Sequence, residues 1–177
     1  MDLSDHPIVD SHCHAFLPEK EVESFERYLT LAMHPIPKDD MFNTFIYRQV
    51  VRELSRVLGV KGSHSQVIEE RNMRYRRAPV EYIELLFDDA NIEVLLIDTG
   101  YPFKDFAGYS IELKDFQNLV PCELREIFRI DNVVFALLKS PTDFESATEQ
   151  FHGLVSEAVK NGAVALKSVI AYSTGLE

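Results

Sequence analysis

The chain has 177 residues, 46% apolar and 27% charged, an ordinary globular composition with enough length for a sizeable core in one domain. A formal charge of -11 argues against nucleic acid or an anionic membrane surface as partner. No apolar run reaches transmembrane length, and Met1-Asp2-Leu3-Ser4-Asp5 lacks the basic start of a signal peptide, so a cytoplasmic protein with no membrane partner is expected.

Ile8 and Val9 read as the end of a short buried strand that runs into Asp10-Ser11-His12-Cys13-His14. Side chains two apart on an extended backbone point to the same side, so His12 and His14 can hold one metal. Imidazole is the commonest neutral metal ligand, and two from one strand lose little freedom on binding zinc or a similar divalent ion. A catalytic metal takes about three protein ligands plus a water, so further ligands must come from elsewhere in the fold. On spacing alone a chance His-x-His stands against that reading. Cys13 alternates with the histidines and reads as a small buried filler; with Cys122 far away in sequence, no disulfide framework is expected.

After Phe16-Leu17-Pro18 comes a helix-prone segment from Glu19 to about Leu31, then a break at His34-Pro35-Ile36-Pro37. Asp39 or Asp40 can cap the next helix, where Phe42, Phe45, Ile46, Val50, Leu54, Val57 and Leu58 recur at helical spacing until Gly59. Ser63 and Gln66 stand in capping-box spacing at the start of another helix, which carries Arg71, Arg74, Arg76 and Arg77 after Glu69 and Glu70. Two readings stand for those arginines: a solvated face with internal ion pairs, or a basic patch that receives an anionic substrate group. Pro79 starts a further helix through Ala90.

Ile92-Glu93-Val94-Leu95-Leu96-Ile97-Asp98 is the second strand, nearly continuous in aliphatics as a doubly covered parallel strand should be. The interval before it is far longer than a usual crossover, so residues 18–91 are expected to form a helical insertion or cap. An aromatic and glycine-containing loop, Tyr101 to Tyr109, leads to a short helical stretch ending near Val120. Glu126 to Asp131 reads as a third strand, Asn132 to Leu138 as a brief helix, and Thr142 with Glu145 as the capping box of a long helix. That helix lines up Phe144, Ala147, Phe151, Leu154, Val155, Ala158 and Val159 before Asn161-Gly162 closes it. Ala163 to Ile170 is the last strand, interrupted by Lys167, which is costly to bury unless something uses it. Strands alternating with helices predict a parallel α/β fold. Asp98 and Arg129 fall at predicted strand ends, where each could form a structural ion pair or touch substrate.

Val9-Asp10-Ser11-His12-Cys13-His14 resembles the first-strand signature of the amidohydrolase superfamily, metal-dependent hydrolases on a (β/α)8 TIM barrel. The likeness extends to Ile127-Phe128-Arg129-Ile130-Asp131 and to Ala165-Leu166-Lys167-Ser168-Val169-Ile170-Ala171-Tyr172-Ser173-Thr174-Gly175-Leu176. These look like the third and fourth strands of the branch whose domains occur fused to glutamine-synthetase-like domains. The resemblance implies the first half of a barrel across residues 1–177, about four parallel strands with the large helical insertion after the first.

It also implies a divalent metal, zinc by expectation, on His12 and His14, with Lys167 at the position of a lysine that is carboxylated in binuclear relatives and bridges two metals. An uncarboxylated Lys167 that binds substrate or pairs with a carboxylate, or one that merely points between strand and helix, is the alternative. Lys167 and Arg129 are the candidate catalytic residues. Relatives take later ligands and a proton-shuttling aspartate from strands five to eight, and His6, His34, His64 and His152 match none of them. The implied reaction is attack of a metal-activated water on an amide, ester or lactone carbonyl. A decarboxylase or isomerase on the same barrel, or a non-catalytic binding or assembly module, is the alternative. Expected partners are a small-molecule substrate, anionic if the arginines receive it. The open edges of four strands call for a larger full-length chain, a homodimer, or a degenerate stand-alone relative.

Overall fold

The aliphatic run from Ile92 to Asp98 is stable only with cover on both faces, and in the computed structural model it forms an inner strand of a parallel sheet. The structure describes residues 6–15, 29–30, 34, 36–100, 113–139 and 142–172. In chain order these form β1 (Ile8–Cys13), α1 (Lys38–Phe42), α2 (Phe45–Leu58), α3 (His64–Arg77), α4 (Pro79–Ala90) and β2 (Ile92–Asp98). Then follow α5 (Leu113–Gln117), β3 (Glu123–Arg129), α6 (Ile130–Leu138), α7 (Phe144–Lys160), β4 (Ala163–Lys167) and a 3-10 turn at Ile170–Tyr172. The Glu19 to Leu31 segment apart from Leu29 and Thr30, the Tyr101 to Tyr109 loop and the Ser173 to Leu176 end of the last motif lie outside the described residues.

The described residues divide into two units, one drawn from Met1–Ala15, Asn91–Asn118 and Cys122–Glu177, the other from Phe16–Ala90 with Leu119–Pro121. In the first, four strands run parallel in the order β1-β2-β3-β4, a half-barrel. Register places Cys13 beside Ile97, Asp98 beside Ile127 and Arg129 beside Lys167, so the C-terminal ends of all four strands meet at one edge. Leu95, Ile97, Phe116, Cys122, Ile127, Val133 and Ala163 are its buried apolar side chains among the described residues. In the second unit, Met41, Tyr47, Val51, Leu54, Leu58, Val67 and Tyr82 form a core between the helices. Arg56 of α2 donates to both carboxylate oxygens of Asp89 on α4, at 2.7 and 2.6 Å.

Several boundaries differ from expectation, each for a local reason. The expected single helix before Gly59 is two: Thr44 breaks it, its hydroxyl donating to the Met41 carbonyl and accepting from Tyr47 N to cap α2. Asp39 and Asp40 lie inside the first turn of α1 and not at its cap. Gly59 ends α2 in the left-handed region at φ 69°, as its position predicts. The Ser63–Gln66 capping box forms as read, whereas α7 is capped by Asp143 and not by Thr142. The Asp143 carboxylate accepts from Ser146 N at 2.9 Å and from the Ser146 hydroxyl at 2.8 Å.

β3 begins at Glu123, three residues before the expected start, because Glu123 and Arg125 stay exposed on one side of it and cost nothing there. It ends at Arg129, since Ile130 and Asp131 are the first turn of α6. β4 stops at Lys167, short of the expected Ile170. There Asp131 takes over: its carboxylate accepts from the Ser168 hydroxyl at 3.0 Å and from Val169 N at 2.9 Å, drawing that amide away from the ladder. α7 packs on α6 and on β4, with Ala147, Phe151, Val155 and Ala158 of its apolar face half-buried and Phe144, at its start, 89% exposed.

Candidate metal centre

β1 ends in a kink. His12 N donates to Asp10 Oδ1 at 3.0 Å, and the pairing with β2 shifts register between Asp10 and Cys13. The two imidazoles nonetheless emerge together, centroids 4.9 Å apart and edge to face. His14 Nδ1 lies 3.2 Å from the backbone carbonyl of Asp98. A carbonyl can only accept, so the proton sits on Nδ1, and Nε2 is the atom by which His14 can ligate a metal. Burial is the main cause that lowers the His14 pKa, with the Asp98 carbonyl and carboxylate opposing it, so the neutral form that metals require is favoured. Cys13 turns away as read: its thiol faces the Leu96 carbonyl at 3.7 Å, and burial, with Asp10 and Cys122, pushes it up to about 12.

Asp98 closes β2 and is 1% exposed. Burial alone would raise its pKa, but hydrogen bonds from Arg129 and then Lys167 outweigh that and hold it at about 2. Arg129 Nε lies 3.2 Å from each carboxylate oxygen, and its Nη2 also donates to Oδ2. Gly100 N donates to Oδ1 at 3.0 Å. Lys167 Nζ lies 2.9 Å from Oδ2 and is hydrogen-bonded to His12 Nε2, which itself stands 3.6 Å from Oδ2. A β-carbon on Gly100 would meet Arg129 Cβ at 2.6 Å and Asn132 Nδ2 at 2.8 Å, so this close approach of β2 and β3 needs glycine.

Among the described residues, His12, His14 and Asp98 form a group that could hold a metal ion, with one ligand atom from each lying within 4.8 Å of the others. Two imidazoles and an ionised carboxylate are a donor set that suits a divalent ion. Arg129 and Lys167, both proposed from sequence, join this cluster; Asp98, read from sequence as a strand-end residue for an ion pair or a substrate contact, forms the ion pair and stands as a candidate metal ligand besides. Asp131, which fixes the chain just after Lys167, was not singled out; its signal was a carboxylate directly after the Arg129 strand end. His6, His34, His64 and His152 are exposed and stand outside the cluster. The arginines of α3 belong to the helical unit, where Arg74 donates to Glu70 at 2.7 Å and to the Leu58 carbonyl at 3.1 Å, and Arg71 to Asn72 at 2.8 Å. Among the described residues no helix is long and apolar enough to cross a membrane.

No family model matches the chain, and no curated protein matches it. Among solved structures it is similar to a protein from Lactobacillus casei ATCC 334 that is provisionally named a metal-dependent hydrolase, at 22% identity and a TM-score of 0.76. The match covers 98% of this chain and 45% of that one, so the chain spans about half the length of the structure it matches. A likeness at this identity establishes the fold: the four strands and their helices are arranged as in part of that protein.

Proposed function

We propose that the chain carries one part of the active site of a metal-dependent hydrolase of the amidohydrolase type, in which His12, His14 and Asp98 hold a divalent ion, zinc by its donor set. The observation that carries this reading is the convergence of two imidazoles and a buried carboxylate at the C-terminal edge of a parallel sheet, where barrel enzymes build their sites. The name of the Lactobacillus casei neighbour supports it. When bound, the ion supplies Lewis acidity, polarising a carbonyl and acidifying a water for attack on an amide, ester or lactone.

This chain's own residues orient and charge the site. The Asp98 carbonyl fixes the His14 ring by accepting from Nδ1, and Arg129 holds the Asp98 carboxylate ionised and in one place. Arg129 therefore acts through Asp98 as a positioning residue. Lys167 Nζ lies beside Asp98 and His12, a position open both to an amine that pairs with the carboxylate and to a carboxylated lysine that bridges metals.

Native mass spectrometry of the zinc-treated 177-residue chain beside His12→Ala/His14→Ala tests the reading. We expect one or more ions per chain that the double variant loses. Equal metal retention by the double variant would overturn the reading.

A further inference from the structure

Resting on that reading of the centre, we propose that Lys167 is a built-in competitor for the metal position, so that a divalent ion binds His12 and Asp98 only by displacing the lysine amine.

The first ground is the hydrogen-bond capacity of Asp98. A carboxylate offers about four acceptor sites. At Oδ1 they are met by Gly100 N and Arg129 Nε, and at Oδ2 by Arg129 and Lys167. A metal needs one of these lone pairs. Gly100 is backbone, and Arg129 is a 6% exposed residue that grips both oxygens, so neither can leave without moving the sheet edge. Lys167 is a single flexible amine on a partly exposed side chain, and it alone can withdraw.

The second ground is His12. The same amine is bonded to His12 Nε2, the ring nitrogen that faces Asp98. Lys167 thus engages two of the three candidate ligands at once, and it does so from a backbone that is fixed on both sides. Arg129 is its neighbour across the β3–β4 ladder, and Asp131 clamps Ser168 and Val169 immediately beyond. Displacement is therefore a side-chain rotation and requires no change of strand register. Electrostatics points the same way, because an ammonium close to a dication repels it in a partly buried site.

Removing the amine should therefore tighten metal binding, the opposite of what loss of a ligand would do. The experiment is calorimetric titration of the chain with Zn2+, repeated with Co2+ to read coordination from its visible spectrum, on wild type, Lys167→Met, Lys167→Gln and His12→Ala/His14→Ala. We expect Lys167→Met to bind about tenfold or more tightly than wild type. Lys167→Gln keeps the polar reach without the charge and guards against a misfolded methionine variant; it should fall between the two. The double histidine variant should lose binding.

If wild type binds through the histidines but neither lysine variant binds more tightly, the competition proposal is wrong while the metal centre stands. If the lysine variants lose the ion, and bicarbonate restores binding to wild type only with a mass gain of one CO2, Lys167 is a carboxylated ligand and the proposal is overturned. If the double histidine variant binds as well as wild type, the reading of the centre fails and takes the proposal with it.

Discussion

Two arginine–aspartate pairs share one chemistry and differ in their surroundings. Arg129 and Asp98 meet at the strand-end edge of the sheet, 6% and 1% exposed, while Arg56 and Asp89 meet on the outside of the helical unit. Both aspartates have lowered pKa values; at Asp89 the hydrogen bond from Arg56 is the main cause, whereas at Asp98 the arginine must first overcome burial. An exposed pair can be remade by water on either side, and a buried pair cannot. The geometry of the outer pair is thus dispensable, and that of the inner pair holds a candidate metal-ligand carboxylate in place.

The sharpest way to break the comparison is to remove one arginine from each pair. Arg129→Met should strand Asp98 with Lys167 as its ion-pair partner among the described lysines and arginines and lower the unfolding free energy by about 3 kcal/mol or more, read from denaturant melts. A loss under about 1 kcal/mol would mean that Lys167 alone suffices. The outer pair should behave differently. A double-mutant cycle of Arg56→Ala and Asp89→Ala should give a coupling near zero that fades further with added salt; a coupling matching the inner pair would remove the contrast.

A smaller effect separates a cap from either pair. Asp143 has its pKa lowered chiefly by the Ser146 backbone amide, so its folded-state value lies below its unfolded one. A depressed carboxyl contributes stability that is present above the unfolded pKa, about 3.9, and is lost as pH falls through the folded value. Asp143→Ala should therefore lower the thermal midpoint at pH 7, and the gap to wild type should close below about pH 4. A gap constant down to pH 2 would show that charge at the cap does nothing.

The elements that depend on local pattern were readable. The aliphatic run of β2, the helical spacing of α2 to α4, the Ser63–Gln66 capping box and the projection of His12 and His14 from one short strand all follow from periodicity and capping chemistry within a few residues. At the end of β4 a side chain from a distant position overrode the pattern. Val169 and Ile170 look like strand, yet Asp131, 38 residues earlier than Val169, captures the backbone amide and ends β4 at Lys167.

By itself the sequence determined the His-x-His strand, the parallel α/β alternation and the residue types at each strand end, because these are encoded by neighbours along the chain. Only the tertiary structure decided that Asp98 joins the two histidines, that Arg129 and Lys167 both grip it, and that Asp131 fixes the segment behind Lys167. Those facts depend on register between strands dozens of residues apart, and no local preference carries that information.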